Sequence, residues 1–246
     1  MFDEFVAFHN EIFLVSKLDH KTKNNFFSYI KLLALKKGEK TRERIIRETR
    51  LLMNSYGNDI TLSFLASQMK VTIGQITYHF ANKDQLIIGI AEEYQANLSK
   101  LVASYSERLQ HLDNYESFVS DLLDQQFEYR CAIRYIFGSS RQHVELFTHV
   151  DDYSDRSLNT VKSRIITYVQ NGDLHDDILE KEHFGTFLFQ YLCLLNGWLG
   201  YYEIYGGGKS YEDLKPLYLK GIFKLFLPYT TPSGKEKLKC LNTFIE

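Results

Sequence analysis

Between Leu62 and Phe80 the chain has room for two short helices and one tight turn, and for little else. Leu62, Leu65, Ala66 and Met69 recur at helical spacing behind Thr61, a residue type that caps helix N-termini. Met69-Lys70-Val71 is then the turn, with Val71 expected as its buried anchor. Thr72 offers a second N-cap, and Ile76 and Phe80, four residues apart, supply the inward face of the helix that follows. Helices this short are not stable alone, so they must lie on a larger helical body. A pair crossing through a tight turn can present its second helix to the major groove of DNA.

The residues left facing outward have the chemistry for that task. Gln75 has a carboxamide that can read an adenine edge bidentately. Thr72, Thr77, Tyr78 and His79 carry hydroxyl or ring N–H donors suited to phosphates. Gly74 leaves the first turn without a side chain, where a backbone can approach a phosphate closely. Lys83 opens the next helix, an unfavourable place for a cation in the helix dipole, so its use is expected to be external. With Thr61 and Ile73, these residues form the candidate DNA-contacting set.

The pattern is wider than the two helices. It runs from Thr41-Arg42-Glu43-Arg44-Ile45 through Gly57, Leu65-Ala66, Val71-Thr72 and Gly74 to Tyr78-His79-Phe80, Lys83-Asp84 and Leu86. In this it resembles the tetracycline-repressor (TetR) type of bacterial regulator, over about residues 38 to 90. Two departures stand out. The turn between Gly57 and Leu65 is one residue short, and Thr77 stands where the family usually has a tyrosine. The resemblance implies a homodimer that holds a pseudo-palindromic double-stranded operator and releases it on binding a small molecule, most often as a repressor. It also implies dimerisation through the last two long helices as a four-helix bundle.

Charge is distributed accordingly. The net charge of −2 carries no message, but Lys36 to Lys83 hold nine Lys/Arg against four Asp/Glu, a local +5. Residues 1–35 balance at four each, which leaves 16 against 23, or −7, for the remainder. A basic segment bearing the motif, followed by an acidic domain, suits DNA held at one end. Most of the arginines Arg42, Arg44, Arg47 and Arg50 are expected to be ordinary solvated charge.

Elsewhere helical periodicity recurs, prolines number only 3, and no alternating strand is evident. The expectation is an all-α chain: a three-helix DNA-binding domain over 38–83, then a larger helical ligand-binding and dimerisation domain over 84–246. Residues 1–37 fall outside the family pattern. Phe2, Phe5, Val6, His9, Ile12 and Phe13 predict one amphipathic helix, and Phe26, Phe27, Ile30 and Leu33 another; the stretch reads either as an extra packed pair or as a poorly ordered extension, with packing preferred because so many exposed aromatics would be a solubility liability. Charges interrupt this stretch, so it is no signal peptide. Three scattered cysteines without a CxxC fit reduced thiols in a cytoplasmic protein.

The second half predicts helices over 84–105, 115–137, 157–171, 181–205 and 211–226, with a loop-rich interval over 138–155. Phe184 to Tyr202 has no charged residue across nineteen positions, long enough to span a membrane. Gln190 and Asn196 would then sit unpaired in lipid, so burial at the centre of a dimer is preferred, with no membrane partner. Leu188, Leu192, Leu195, Leu199 and Phe223 are the expected interface stripes.

No GxSxG, P-loop, dinucleotide fingerprint or HExxH pattern occurs, so no catalytic residue, cofactor or metal site is assigned. His175, Asp176, Asp177, Glu180 and His183 read as a solvated loop, and His143 and His149 have no ligand spacing. One unusual feature remains. In a continuous helix over 115–137, Gln126 and Arg130 fall in mid-stripe of the apolar face, with Arg134 at its edge. Such a charge is either paired internally or serves a site. The functional reading is an aromatic pocket with Gln126 and Arg130 at its polar end and Phe127, Tyr168, Tyr191 and Trp198 as walls. Its effector would be apolar with an acidic or carbonyl head. Competing readings are a DNA-binding factor of the same fold without an inducer, a membrane-tethered regulator and an all-α enzyme.

Overall fold

The computed structural model describes residues 20–138 and 159–239, with side chains over 38–135 and 159–239. The chain is all-α, and among the described residues the one β pairing is an isolated bridge between Leu174 and Thr230. The first helix, α1 (His20–Tyr56), runs without interruption through residue 38. The second of the two expected N-terminal helices is therefore continuous with the first helix of the expected three-helix unit, and a boundary at 37/38 falls inside α1. The helix expected from Phe2 to Phe13, the 138–155 interval beyond Gly138, His143 and His149 lie outside the described residues.

Ile45, Ile46, Thr49, Arg50 and Met53 form the inner face of α1, which stops at Gly57 with φ +86°. Then come α2 (Leu62–Met69) and α3 (Ile73–His79). Thr61 Oγ1 accepts from Phe64 N–H at 3.1 Å, as expected of an N-cap. Lys70 turns the chain in the left-handed region, φ 55°, and its N–H returns to the Ala66 and Ser67 carbonyls. Leu65, Ala66, Met69, Ile76 and Phe80 are buried, while Val71 is only half-buried.

Helix α4 (Lys83–Tyr105) carries the unit into the larger half, buried along Leu86, Ile87, Ile90, Tyr94 and Leu98. It packs on α5 (Leu112–Glu128), and the phenol of Tyr105 donates to Asp121 at 2.7 Å. The single helix expected over 115–137 is broken. Tyr129, at φ −102° and ψ 20°, separates α5 from α6 (Arg130–Gly138). Periodicity gave no sign of this because the cause is tertiary: the buried Tyr129 ring lies under the Arg50 guanidinium, 4.3 Å away, and beside Tyr94, while its hydroxyl accepts from Asn97.

Helix α7 spans 159–170 and ends at Gly172, φ +73°. It is followed by α8 (Lys181–Tyr205), α9 (Tyr211–Lys224) and the short α10 (Pro232–Lys237). Ser210 and Asp213 close a capping box on α9. The buried Asp173 carboxylate accepts from Lys237 at 2.5 Å, tying α10 to the turn after α7. One cluster of buried apolar residues runs from Ile45 to Leu238, so both halves share a continuous core. Among the described residues no helix is long and apolar enough to cross a membrane.

Helix α4 meets the ring of Phe80, the residue that closes α3, at Gly89. A Cβ placed there would lie 2.9 Å from Phe80 Cε1 and 3.5 Å from Ile46 Cδ1. Gly89→Val should therefore destabilise the protein by about 1–3 kcal/mol through overpacking, read as a lower midpoint in urea with an unchanged slope.

Candidate nucleic-acid interface

A seven-residue helix stands only if its ends and one face are secured. Thr72 Oγ1 accepts from Gln75 N–H at 3.2 Å, and Gln75 Oε1 accepts from Thr72 N–H at 2.9 Å, a complete capping box. Ile76 and Phe80 anchor the inner side. Everything else on α3 faces out. Thr61, Thr72, Ile73, Gly74, Gln75, Thr77 and Tyr78 are exposed, and His79 is half-buried with its ring edge-on to Tyr78. Tyr78 is 83% exposed and Ile73 44%, although both carry large apolar surfaces. A Cβ at Gly74 would meet only Thr72 Oγ1, at 3.8 Å, so the first turn is open to close approach.

Three placements differ from expectation. Lys83 is half-buried, and its Nζ donates to the Asn58 carbonyl at 3.0 Å, fastening the loop before α2 rather than standing free. The Gln75 carbonyl is held by the cap, which leaves its NH2 to act outward. The basic excess is partly spent internally: Arg42 pairs with Glu92 at 3.4 Å, Arg44 with Glu48 at 3.9 Å, and Arg50 is buried.

The effector-side residues are placed as follows. Gln126 is buried and its Oε1 accepts from the Trp198 indole at 2.6 Å. Phe127 stacks on Tyr211, ring centroids 4.2 Å apart. Tyr168 donates to the Leu109 carbonyl, and Tyr191 shares a 2.5 Å hydrogen bond with Tyr115. Burial raises the pKa of both phenols, so both are neutral. Among the described residues Arg130 is held by backbone carbonyls rather than by a carboxylate. It donates to the carbonyls of Phe127, at 2.8 Å, and Asn54, at 3.1 Å. Once the helix breaks at Tyr129, the phase that put Arg130 beside Gln126 is lost. Arg134 forms a 2.8 Å ion pair with Glu203. It borders an open groove of about 550 Å3 with Ile133, Leu192, Cys193, Gly197 and Gly200. His183 Nδ1 meets the Asp177 carbonyl, and no group of His, Cys, Asp or Glu among the described residues could hold a metal ion.

The expected interface stripe on α8 is also out of phase. Leu199 and Phe223 are buried within the chain, and Leu188, Leu192 and Leu195 are half-buried. The uncovered face is instead Phe189, Leu194, Tyr201, Ile204 and Tyr205, joined by Leu217 of α9.

Sequence reasoning missed the junction between the two halves. Asn54 donates to the Glu128 carbonyl at 2.7 Å and accepts from Cys131 N–H at 3.0 Å. Asn58 donates to the Cys131 carbonyl at 2.8 Å, and Tyr135 donates to Asp84 at 2.7 Å. Arg50 bonds the Glu128 carboxylate. A signal was present: Arg50 lies in mid-stripe between Ile46 and Met53, the same anomaly that marked Arg130.

Comparisons with known proteins bear on the family and the fold. The family model for TetR, a bacterial transcriptional repressor, matches residues 93–238, more than half of the chain. No curated protein matches it. Among solved structures, a TetR-family regulator from Marinobacter aquaeolei VT8 superposes with a TM-score of 0.70 at 19% identity, covering 81% of this chain and 96% of its own. A transcriptional regulator from Saccharomonospora viridis, solved with choline, gives 0.56 at 18% identity, covering 78% and 99%. The SmeT–triclosan complex gives 0.55 at 15% identity, covering 79% and 94%.

Removing the cap should cost stability and trimming the exposed ring should not. Thr72→Ala is expected to lower unfolding free energy by about 1 kcal/mol. Tyr78→Ala should stay within about 0.5 kcal/mol of the parent. Denaturant titration of both variants checks the contrast.

Proposed function

The chain belongs to the TetR family of bacterial transcriptional regulators, and on that premise we propose that it is a homodimeric repressor whose α3 helices read a pseudo-palindromic operator, with release controlled by a small molecule. The observation that carries the DNA reading is the outward face of α3. Thr72, Ile73, Gly74, Gln75, Thr77 and Tyr78 are exposed side by side on a helix whose caps and inner face are already satisfied. Gln75 reads a base edge through its free NH2. Thr61, Thr72, Thr77, Tyr78 and His79 serve phosphates, Ile73 contacts an apolar base edge, and Lys83 adds positive potential beside the fold it fastens.

The dimer reading rests on α8 and α9. Phe189 is 69% exposed in a run with no charge from Phe184 to Tyr202, and Ile204, two residues beyond it, is 72% exposed. A self-complementary apolar face of this kind suits an isologous two-fold contact. The effector reading rests on the aromatic interior around Phe127, Tyr168, Tyr191 and Trp198, and on two relatives of the same fold solved with small molecules. Gln126 supplies its polar end. With Arg130 held by carbonyls and Arg134 by Glu203, the head group is carbonyl-like rather than acidic. One observation favours an inducer-free regulator instead: Gln126 with Trp198 and Tyr115 with Tyr191 already satisfy each other.

Selection of bound duplexes from a random pool should return an inverted repeat. Against that duplex, Gln75→Ala should lose about 1–3 kcal/mol of discrimination at one base pair per half-site, seen by fluorescence anisotropy with single-pair variants. A pool with no enriched sequence contradicts the DNA reading. In sedimentation at micromolar concentration the parent should be a dimer and Ile204→Glu a folded monomer. A monomeric parent contradicts the assembly.

A further inference from the structure

Arg50 is the one buried arginine among the described residues, and it faces two carboxylates on two different helices. Its Nη1 bonds Glu128, the last residue of α5. Its Nε forms a long ion pair with Glu93 Oε2 on α4, at 4.0 Å, beyond hydrogen-bonding distance. Both Arg50 Nε and Glu93 Oε2 are buried and lack a hydrogen-bond partner, as does the neighbouring Thr49 Oγ1. Buried polar atoms are nearly always satisfied, so unsatisfied atoms at both ends of one ion pair call for an explanation. Beneath the guanidinium lies the flat face of Tyr129, at 4.3 Å, on which it can turn without losing its cation–π contact.

We propose that Arg50 is a partner-exchanging latch, held by Glu128 in the arrangement seen here and by Glu93 in a second one, and that the exchange sets the tilt of the DNA-binding unit on the larger half. In the present arrangement α1 is tied to the end of α5. In the second, Arg50 Nε meets Glu93 Oε2, which satisfies both of those atoms, and α1 is tied to α4 alone. The break at Tyr129 is where the difference is absorbed. α6, which begins one residue later, is hydrogen-bonded to α1 through Arg130–Asn54, Asn54–Cys131 and Asn58–Cys131, and so moves with it. The guanidinium meets Glu128 at full hydrogen-bonding contact and Glu93 only at 4.0 Å, so drawing Nε onto Glu93 pulls Nη1 from Glu128 and gives two arrangements rather than a continuum. Arg50 is a positioning residue here and touches no ligand. The inference rests on the regulator reading only for its consequence at DNA; the exchange itself does not.

The test is an intrachain distance measured without DNA. Spin labels go on Ser67→Cys of α2 and Lys224→Cys of α9, both exposed, with Cys193→Ser and Cys240→Ser removing other reactive thiols. Labelled chains are diluted with unlabelled ones so that only intrachain pairs report. Pulsed electron–electron resonance should give Glu93→Gln the major distance of the parent, sharpened, and give Glu128→Gln a different one. Arg50→Gln should broaden the distribution over both. If Glu128→Gln unfolds, Glu128→Asp keeps the charge but shortens the reach, and should show the same displaced distance. Glu128 and Glu93 variants that both leave the distribution unchanged, or that shift it in the same way, overturn the latch. Against the selected duplex Glu128→Gln should change affinity by about tenfold, within the usual range of coupling, and Glu93→Gln by less than about twofold. A displaced distance with no DNA binding by any variant, the parent included, would count against the regulator reading and leave the latch standing.

Discussion

The burial of Ile76 and Phe80 is the contact on which the reading of this protein depends. Seven residues of helix cannot hold their own shape in water. What holds α3 is two side chains sunk into a core made by α1, α2 and α4, closed by Gly89, whose missing Cβ lets the Phe80 ring touch α4. Because the inner face and both ends of α3 are settled, its other residues are free of structural duty. Large exposed side chains such as Tyr78 and Ile73 are then unexplained by folding, which is what turns an exposed face into a candidate interface.

The same core continues into the larger half. Helix α4 belongs to both, and α1 reaches α5 and α6 through its last two turns. The link is polar where the rest is apolar: Asn54, Asn58, Arg50 and Arg130 satisfy backbone groups and carboxylates exposed by the break at Tyr129. A broken helix leaves unpaired carbonyls and N–H groups, and asparagine, with donor and acceptor on one short side chain, suits both. Burial pushes the Tyr129 phenol up to about 12, so it remains a neutral partner there at any physiological pH.

Much of this was legible in the sequence because it is local. Thr61 and Thr72 act as caps, Gly57 and Gly172 sit at positive φ, and the bounds of α8 follow from spacing and residue type alone. The readings that failed depended on neighbours distant in sequence. The stripe through Gln126 and Arg130 assumed an unbroken helix, and the break is made by Arg50 and Asn97, more than thirty residues away. On α8, apolar residues occur on every side, so periodicity cannot say which face the chain covers itself; the fold chose Phe187, Tyr191, Trp198 and Leu199 and left the opposite side bare. Lys83 was judged by the helix dipole, whereas a carbonyl at Asn58 decided its placement.

The central claim is that α3 lies in the major groove. Methylation interference on the selected duplex tests it directly, because guanine N7 is in the major groove and adenine N3 in the minor. The account predicts interference at guanines in two clusters related by a dyad and separated by about one helical turn or a multiple of it. Interference confined to adenine N3, or none at guanine N7, would contradict it.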